Sequence, residues 1–112
     1  MSTSPFPSPS YEVRLHSRSR IEPVRGLRYH VRLWGPDPAA GGPPPLVLLH
    51  GWPQSSHEWR RLIPELATRF RVIAPDLRGL GDSGRPAGGY DKLTVAGDVH
   101  ELLRHLGIVQ AA

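Results

Sequence analysis

The stretch PPPLVLLHGWPQSSHEW, residues 43–59, decides how this chain is read. Four apolar residues, Leu46 to Leu49, run without a polar break into His50, Gly51, Trp52 and Pro53. A short uninterrupted apolar run predicts a strand buried on both faces, as in a parallel sheet. Just beyond it, Ser55 fits a helix N-cap with Glu58 three residues on, the pattern of a capping box. Trp59, Leu62, Ile63, Leu66, Ala67 and Phe70 then fall at helical spacing, with Pro64 placed to kink that helix or split off its first turn. RVIAPD, Arg71 to Asp76, is a second short apolar strand. Strand, helix and strand in this order call for a parallel pair joined by a crossover.

On the N-terminal side, Tyr11, Val13 and Leu15 alternate with Glu12, Arg14 and His16. Leu27, Tyr29, Val31 and Leu33 alternate with Arg28, His30 and Arg32. Period two predicts strands with one buried face. Gly26 marks a turn between the two segments and Pro23 an edge, so the chain opens with an antiparallel pair. Gly35 to Pro45 reads as a loop. On the C-terminal side, Leu77 to Asp91 is a long Gly-rich loop. Val95, Val99, Leu102, Leu103 and Leu106 then mark an amphipathic helix. Thr94 is its expected N-cap and Gly107 its C′ residue, with Ile108 placed to touch Leu103. The order is β-β-β-α-β-α, and the last helix has no strand to return to. The pattern predicts the N-terminal portion of a larger α/β domain over residues 11–112. Residues 1–10, MSTSPFPSPS, are expected to form a disordered Ser/Pro-rich tail, because they lack the apolar centre of a signal peptide.

Composition narrows the function classes. The chain has 112 residues, the size of one small domain. It has no cysteine, which excludes disulfides and Cys-based metal sites and fits a reducing, cytoplasmic location. No run approaches the ~18 apolar residues of a membrane span. The net charge is +4, and 13 of the 14 basic residues are Arg. They are scattered and not interleaved with aromatics, so no nucleic-acid partner is expected.

Several near-motifs fail on inspection. Gly79 to Gly84 fits G-x-G-x-x-G after a strand. However, Pro86 and the Gly88-Gly89 pair prevent a helix from starting there, and Asp82 would oppose a phosphate. His100 to His105 is one residue longer than H-E-x-x-H. At i, i+5 the two histidines lie about 140° apart on a helix and cannot share one ion. No metal is expected. His16 and His30 fall on the polar faces of strands and are expected to be solvated. Asp76, at a strand end, reads either as a nucleophile or base, or as a carboxylate that hydrogen-bonds the Gly-rich loop. The absence of a partner base nearby in sequence favours the second reading.

His-Gly-Trp-Pro has two readings of its own. Gly51 lets the backbone turn sharply beside a ligand, and Pro53 fixes its own φ without donating. Together they can present a rigid backbone donor to an oxygen that gains negative charge. They can equally be an ordinary strand-to-helix loop capped by Ser55. These four residues do not separate the two.

The wider sequence does. LVLLHGWPQSSHEWRRLIPELATRFRVIAPDLRGLGDSGRP, residues 46–86, resembles the α/β-hydrolase superfamily, and within it the epoxide hydrolases and their dehalogenase relatives. HGWP is similar to the H-G-x-P oxyanion motif of that branch. DLRGLGDS, Asp76 to Ser83, is similar to its D-x-R-G-x-G-x-S loop, and LTVAGDVHELLRHLGI to the helix that leads to the nucleophile strand. The resemblance implies an α/β-hydrolase fold in which the backbone N–H of Trp52 is an oxyanion donor, framed by His50, Gly51 and Pro53. It also implies a cofactor-free reaction on a small molecule. A carboxylate would attack an epoxide or carbon–halogen carbon, and a His-activated water would cleave the ester. No G-x-D-x-G or G-x-S-x-G elbow occurs in the chain, which ends LGIVQAA. The catalytic acid and base follow later in family order, so none of the six histidines is assigned as the base. The expected chain is therefore truncated before its nucleophile. The alternatives are a Ser-nucleophile relative (esterase, lactonase or haloperoxidase) or an inactive fragment. Substrate identity and oligomeric state are not encoded in these motifs. The family's strand order implies that the Leu46–Leu49 strand flanks the Arg71–Asp76 strand and leaves an open outer edge. The handedness of parallel crossovers places the two helices on opposite faces.

Overall fold

A computed structural model describes residues 18–35, 42–51 and 54–112. Strands β1 (Arg18–Val24), β2 (Leu27–Trp34), β3 (Pro45–Val47) and β4 (Arg71–Pro75) form one sheet in the order β1-β2-β4-β3. The β1–β2 and β2–β4 pairs are antiparallel, and β3–β4 is parallel. Two helices are labelled here, α1 (Ile63–Leu66) and α2 (Lys92–His105).

The opening hairpin turns at Arg25 and Gly26, with φ of 53° and 80°. Val24 pairs with Leu27, so this is the two-residue loop whose twist matches the strands. The turn stands where Gly26 predicted it. Pro23 lies on the outermost strand, where a missing N–H disturbs no ladder. The strand that enters the turn is Arg18–Val24, however. Tyr11–Leu15 and the tail 1–10 lie outside the described residues. Arg18–Val24 hides from a periodicity search because, at the sheet edge, only Val24 is buried. Strand β2 also differs from expectation. It is buried on both faces, with His30 only 4% exposed, because strands flank it on both sides and a core covers each face.

Those two cores are separated by the sheet. One joins Tyr29, Val31, Leu33 and Ile73 to Leu102, Leu106 and Ile108 of the α2 region. The other joins Trp34, Val72 and Ala74 to Ile63 and Ala67 at α1. Alternate residues of β4 serve opposite faces, so the two helices cover opposite sides, as the crossover rule predicts. Each fully buried Val, Leu or Ile contributes about 1.5–3 kcal/mol.

Local details depart from expectation for identifiable reasons. Ser55 does cap, accepting from the His57 N–H at 3.3 Å. The box does not close, because the Glu58 carboxylate accepts from Gly51 N–H at 3.1 Å instead. The helix is split into a 3-10 turn, Ser56–Trp59, and α1, with Pro64 in the first turn of α1 where no N–H is needed. Leu62 lies at this break and is 52% exposed. The N-cap of α2 is Asp91 rather than Thr94. Its carboxylate accepts from the Thr94 hydroxyl at 2.7 Å and the Thr94 N–H at 3.0 Å. Those two bonds hold the Asp91 carboxyl below its ordinary pKa. Gly107, at φ 76°, ends α2, and Ile108 N–H returns to the Leu103 carbonyl at 2.9 Å.

Strand β3 is shorter than Leu46–Leu49 and is not buried on both faces. Leu46 and Val47 are half-buried and Leu49 is 48% exposed, because among the described residues β4 is the only strand beside β3. Its outer edge is not bare either. Ala112 donates to Pro45 O at 3.0 Å and accepts from Val47 N–H at 2.8 Å.

Candidate active site

The C-terminal ends of β3 and β4 lie side by side, and the polar groups beyond them meet. His50 is buried. Its Nε2 accepts from Leu77 N–H at 2.9 Å, so the ring proton sits on Nδ1, 3.2 Å from the Gly51 carbonyl. This tautomer is assigned from the bonds. The Gly51 carbonyl also accepts from Gln54 N–H at 2.7 Å. Together with the Glu58 bond on Gly51 N–H, three contacts fix this glycine between the two strand ends. His50 and Gly51 lie just beyond the C-terminal end of β3. Trp52 and Pro53 lie outside the described residues.

Asp76 is the second junction. Its Oδ1 accepts from Ser56 N–H at 2.7 Å, and its Oδ2 accepts from Asp82 N–H at 3.0 Å and lies 2.7 Å from His30 Nδ1. Burial alone would raise its pKa. The Asp82 and Ser56 N–H bonds, the Ser56 hydroxyl and His30 outweigh that and hold the carboxyl below its ordinary value. The expected hydrogen bonds to the Gly-rich loop are present. The expectation that His30 is solvated is overturned, because its ring turns inward onto this carboxylate. Gly81 permits the arrangement. Its φ is 54°, and an added Cβ would sit 2.3 Å from Asp76 Cγ. His30, Asp76 and Asp82 bring ligand-type atoms within 4.8 Å of one another. Both Asp76 oxygens already accept from N–H donors.

A third junction locks the Gly-rich loop to α2. Asp98 is fully buried and takes a forked contact from Arg78, at 2.8 and 2.9 Å. Tyr29 donates its hydroxyl to Asp98 at 3.0 Å and accepts from Arg78 N–H at 3.0 Å. Burial and then the Asp98 charge push the Tyr29 hydroxyl far above its ordinary pKa. Sequence reading missed this junction, although a signal existed. Asp98 falls four residues before Leu102 on the buried stripe of α2, a position a solvated acid would not occupy. No helix begins at Gly84, whose N–H bonds Arg28 O at 2.8 Å, so the rejection of a dinucleotide loop stands.

His50 and Arg78, from the first and third junctions, border a groove of about 690 Å³ that is lined also by Leu49, Leu77, Tyr90 and Val95. Its walls are mostly apolar with few polar groups, as small-molecule sites commonly are.

A family model described as the alpha/beta hydrolase fold matches residues 44–112. The chain belongs to the α/β-hydrolase family. Within it, this hydrolase is 68% identical to the soluble epoxide hydrolase of Corynebacterium sp. (strain C12) over 84 residues. That match covers 75% of this chain and 27% of the relative. It is 44% identical to the fluoroacetate dehalogenase of Burkholderia sp, over 60% of this chain and 24% of that protein. The solved structure of epoxide hydrolase CorEH without ligand superposes with a TM-score of 0.73 at 53% identity, covering 82% of this chain and 30% of the other. Epoxide hydrolase A from Mycobacterium thermoresistibile gives a TM-score of 0.76 at 33% identity, covering 87% and 30%. This α/β hydrolase is thus epoxide hydrolase-like over a span of about 30% of such relatives. Among the described residues, no helix is long and apolar enough to cross a membrane.

Proposed function

We propose that this chain contributes the oxyanion side of an epoxide-hydrolase-like site that opens small-molecule epoxides through a carboxylate ester. The Trp52 backbone N–H stabilises the oxygen that gains charge as water cleaves that ester. The nucleophile, the acid and the base are assigned to no residue of these 112. The reading rests on one observation above the others, the two bonds that hold the Gly51 carbonyl. Those bonds hold Gly51, the residue that precedes Trp52 in the motif, by its carbonyl. His50 is then a positioning residue. It joins the β3 end to the β4 end and cannot serve as a base, because its Nε2 is engaged by Leu77 N–H. The 68% identity to a soluble epoxide hydrolase favours the epoxide over other electrophiles. By itself the chain is expected to turn over no epoxide, ester or haloacid. Cytoplasmic location remains our reading from the lack of cysteine.

The test is an ester-for-amide exchange at residue 52 in a protein that carries the whole hydrolase domain. The exchange removes the N–H and keeps the side chain. Turnover should fall by about 10²–10³-fold, while Trp52→Ala should mainly alter substrate range. Normal turnover by the exchanged protein would refute the assignment.

A further inference from the structure

Ser19 lies on β1 at the sheet surface, opposite Arg32 in the antiparallel register. His30, two residues from Arg32 on the same face of β2, is therefore its diagonal neighbour. The Ser19 Oγ is 3.1 Å from His30 Nε2, and His30 Nδ1 is 2.7 Å from Asp76 Oδ2. Serine, imidazole and carboxylate stand in one line of contacts, with the serine exposed and the other two buried. The roles of the atoms follow from hydrogen bonding. An ionised carboxylate only accepts, so His30 Nδ1 holds the ring proton and Nε2 turns a lone pair toward Ser19. Asp76 is also anchored by Ser56 and Asp82 N–H groups, which fixes the ring's orientation from behind. Arg32 places a cation on the same face, one strand away from Ser19 Oγ.

We propose that Ser19 is an activated serine, a covalent modification site for small acyl or phosphonyl electrophiles that carry a good leaving group. The step is a single displacement. Ser19 Oγ bonds to the electrophilic carbon or phosphorus, its proton passes to His30 Nε2, and the leaving group departs as an anion. His30 then releases the proton to solvent. No second displacement is assigned, so the reaction ends at the adduct, after one equivalent. The reacting serine lies on β1, and the relay shares Asp76 with the junction at the β4 end, but it uses neither Trp52 nor an epoxide.

The probe is a fluorophosphonate, applied to the full 112-residue chain, with the modified residue located by peptide mass spectrometry. Ser19 should be labelled to one equivalent, ahead of every other serine, and labelling should vanish in urea. General-base assistance is worth about 10²–10⁴-fold, so His30→Gln should slow the labelling of Ser19 by at least about 100-fold. Ser19→Ala, a surface change, should abolish labelling while leaving the circular dichroism spectrum intact. If His30→Gln fails to fold, the decision falls to the folded wild type alone, where Ser19 must outpace the other serines. Labelling spread evenly over the serines, or an unchanged rate in a folded His30→Gln, would overturn the proposal and leave a structural cross-strand bond.

Discussion

Replacing Asp76 with Asn tests whether the carboxylate between the strand ends holds the site together. The side chain is nearly isosteric, so packing is unchanged and the experiment isolates acceptor capacity. In the wild type, Oδ1 serves Ser56 N–H and Oδ2 serves Asp82 N–H and His30 Nδ1. Asn has one acceptor oxygen, so its amide NH₂ must face at least one of these donors. A bond to a charged group contributes about 1.5–3 kcal/mol, and a buried donor left unpaired costs about 1–3 kcal/mol. The expected loss is about 3–5 kcal/mol, a large share of the ~5–15 kcal/mol by which a small domain is stable. Urea unfolding followed by tryptophan fluorescence measures it, since Trp34 is buried in the α1-side core. A loss under ~1 kcal/mol would show that Asp76 is an ordinary turn carboxylate. The dependence on pH is a second check. The folded pKa lies below the unfolded value of about 3.9, so the charged form contributes its full stabilisation above that pH. The contribution is lost as pH falls through the folded value. The gap between wild type and Asp76→Asn should stay constant from pH 7 to about 5 and shrink below about 4. A gap that widens on acidification would contradict the assigned network.

Asp98→Asn should cost about 3–5 kcal/mol in the same unfolding assay, because it takes the fully buried carboxylate away from the half-buried Arg78 guanidinium. Arg78→Lys should also destabilise, since an ammonium cannot make the fork, and an unchanged midpoint would discount the junction. Gly81→Ala forces a Cβ onto Asp76 at positive φ, whereas Gly26→Ala meets nothing within 4 Å. Gly81→Ala should therefore exceed the ~1–3 kcal/mol of left-handed strain expected at Gly26, and equal losses would refute the contact. The exposed Leu49, Tyr90 and Leu93 predict self-association of the isolated chain. Size-exclusion chromatography with light scattering should show oligomers that Leu49→Lys reduces, and a stable micromolar monomer would refute this.

The sequence by itself determined the order of elements and the family, because those signals are local. Apolar runs, the Gly26 turn, Pro64, Gly107 and the two glycine-bearing motifs each act within a few residues of themselves. It also placed His50 and Gly51 beyond the end of a strand, because the apolar run before them is local, whereas the contact of His50 with Leu77 spans 27 residues. What only the tertiary structure decided is which polar residues turn inward. His30 reads as a solvated strand residue, yet it is buried because β2 lies between β1 and β4 with a core on each face. Asp76 lacks any base nearby in sequence and meets His30 across 46 residues. Asp98 meets Tyr29 across 69. The structure likewise decided that β3 is a half-covered edge and that Glu58 serves Gly51 rather than its own cap. Burial and pairing of this kind depend on strand order and on which element covers each face. Those are set by long-range packing, and a window of residues does not contain them.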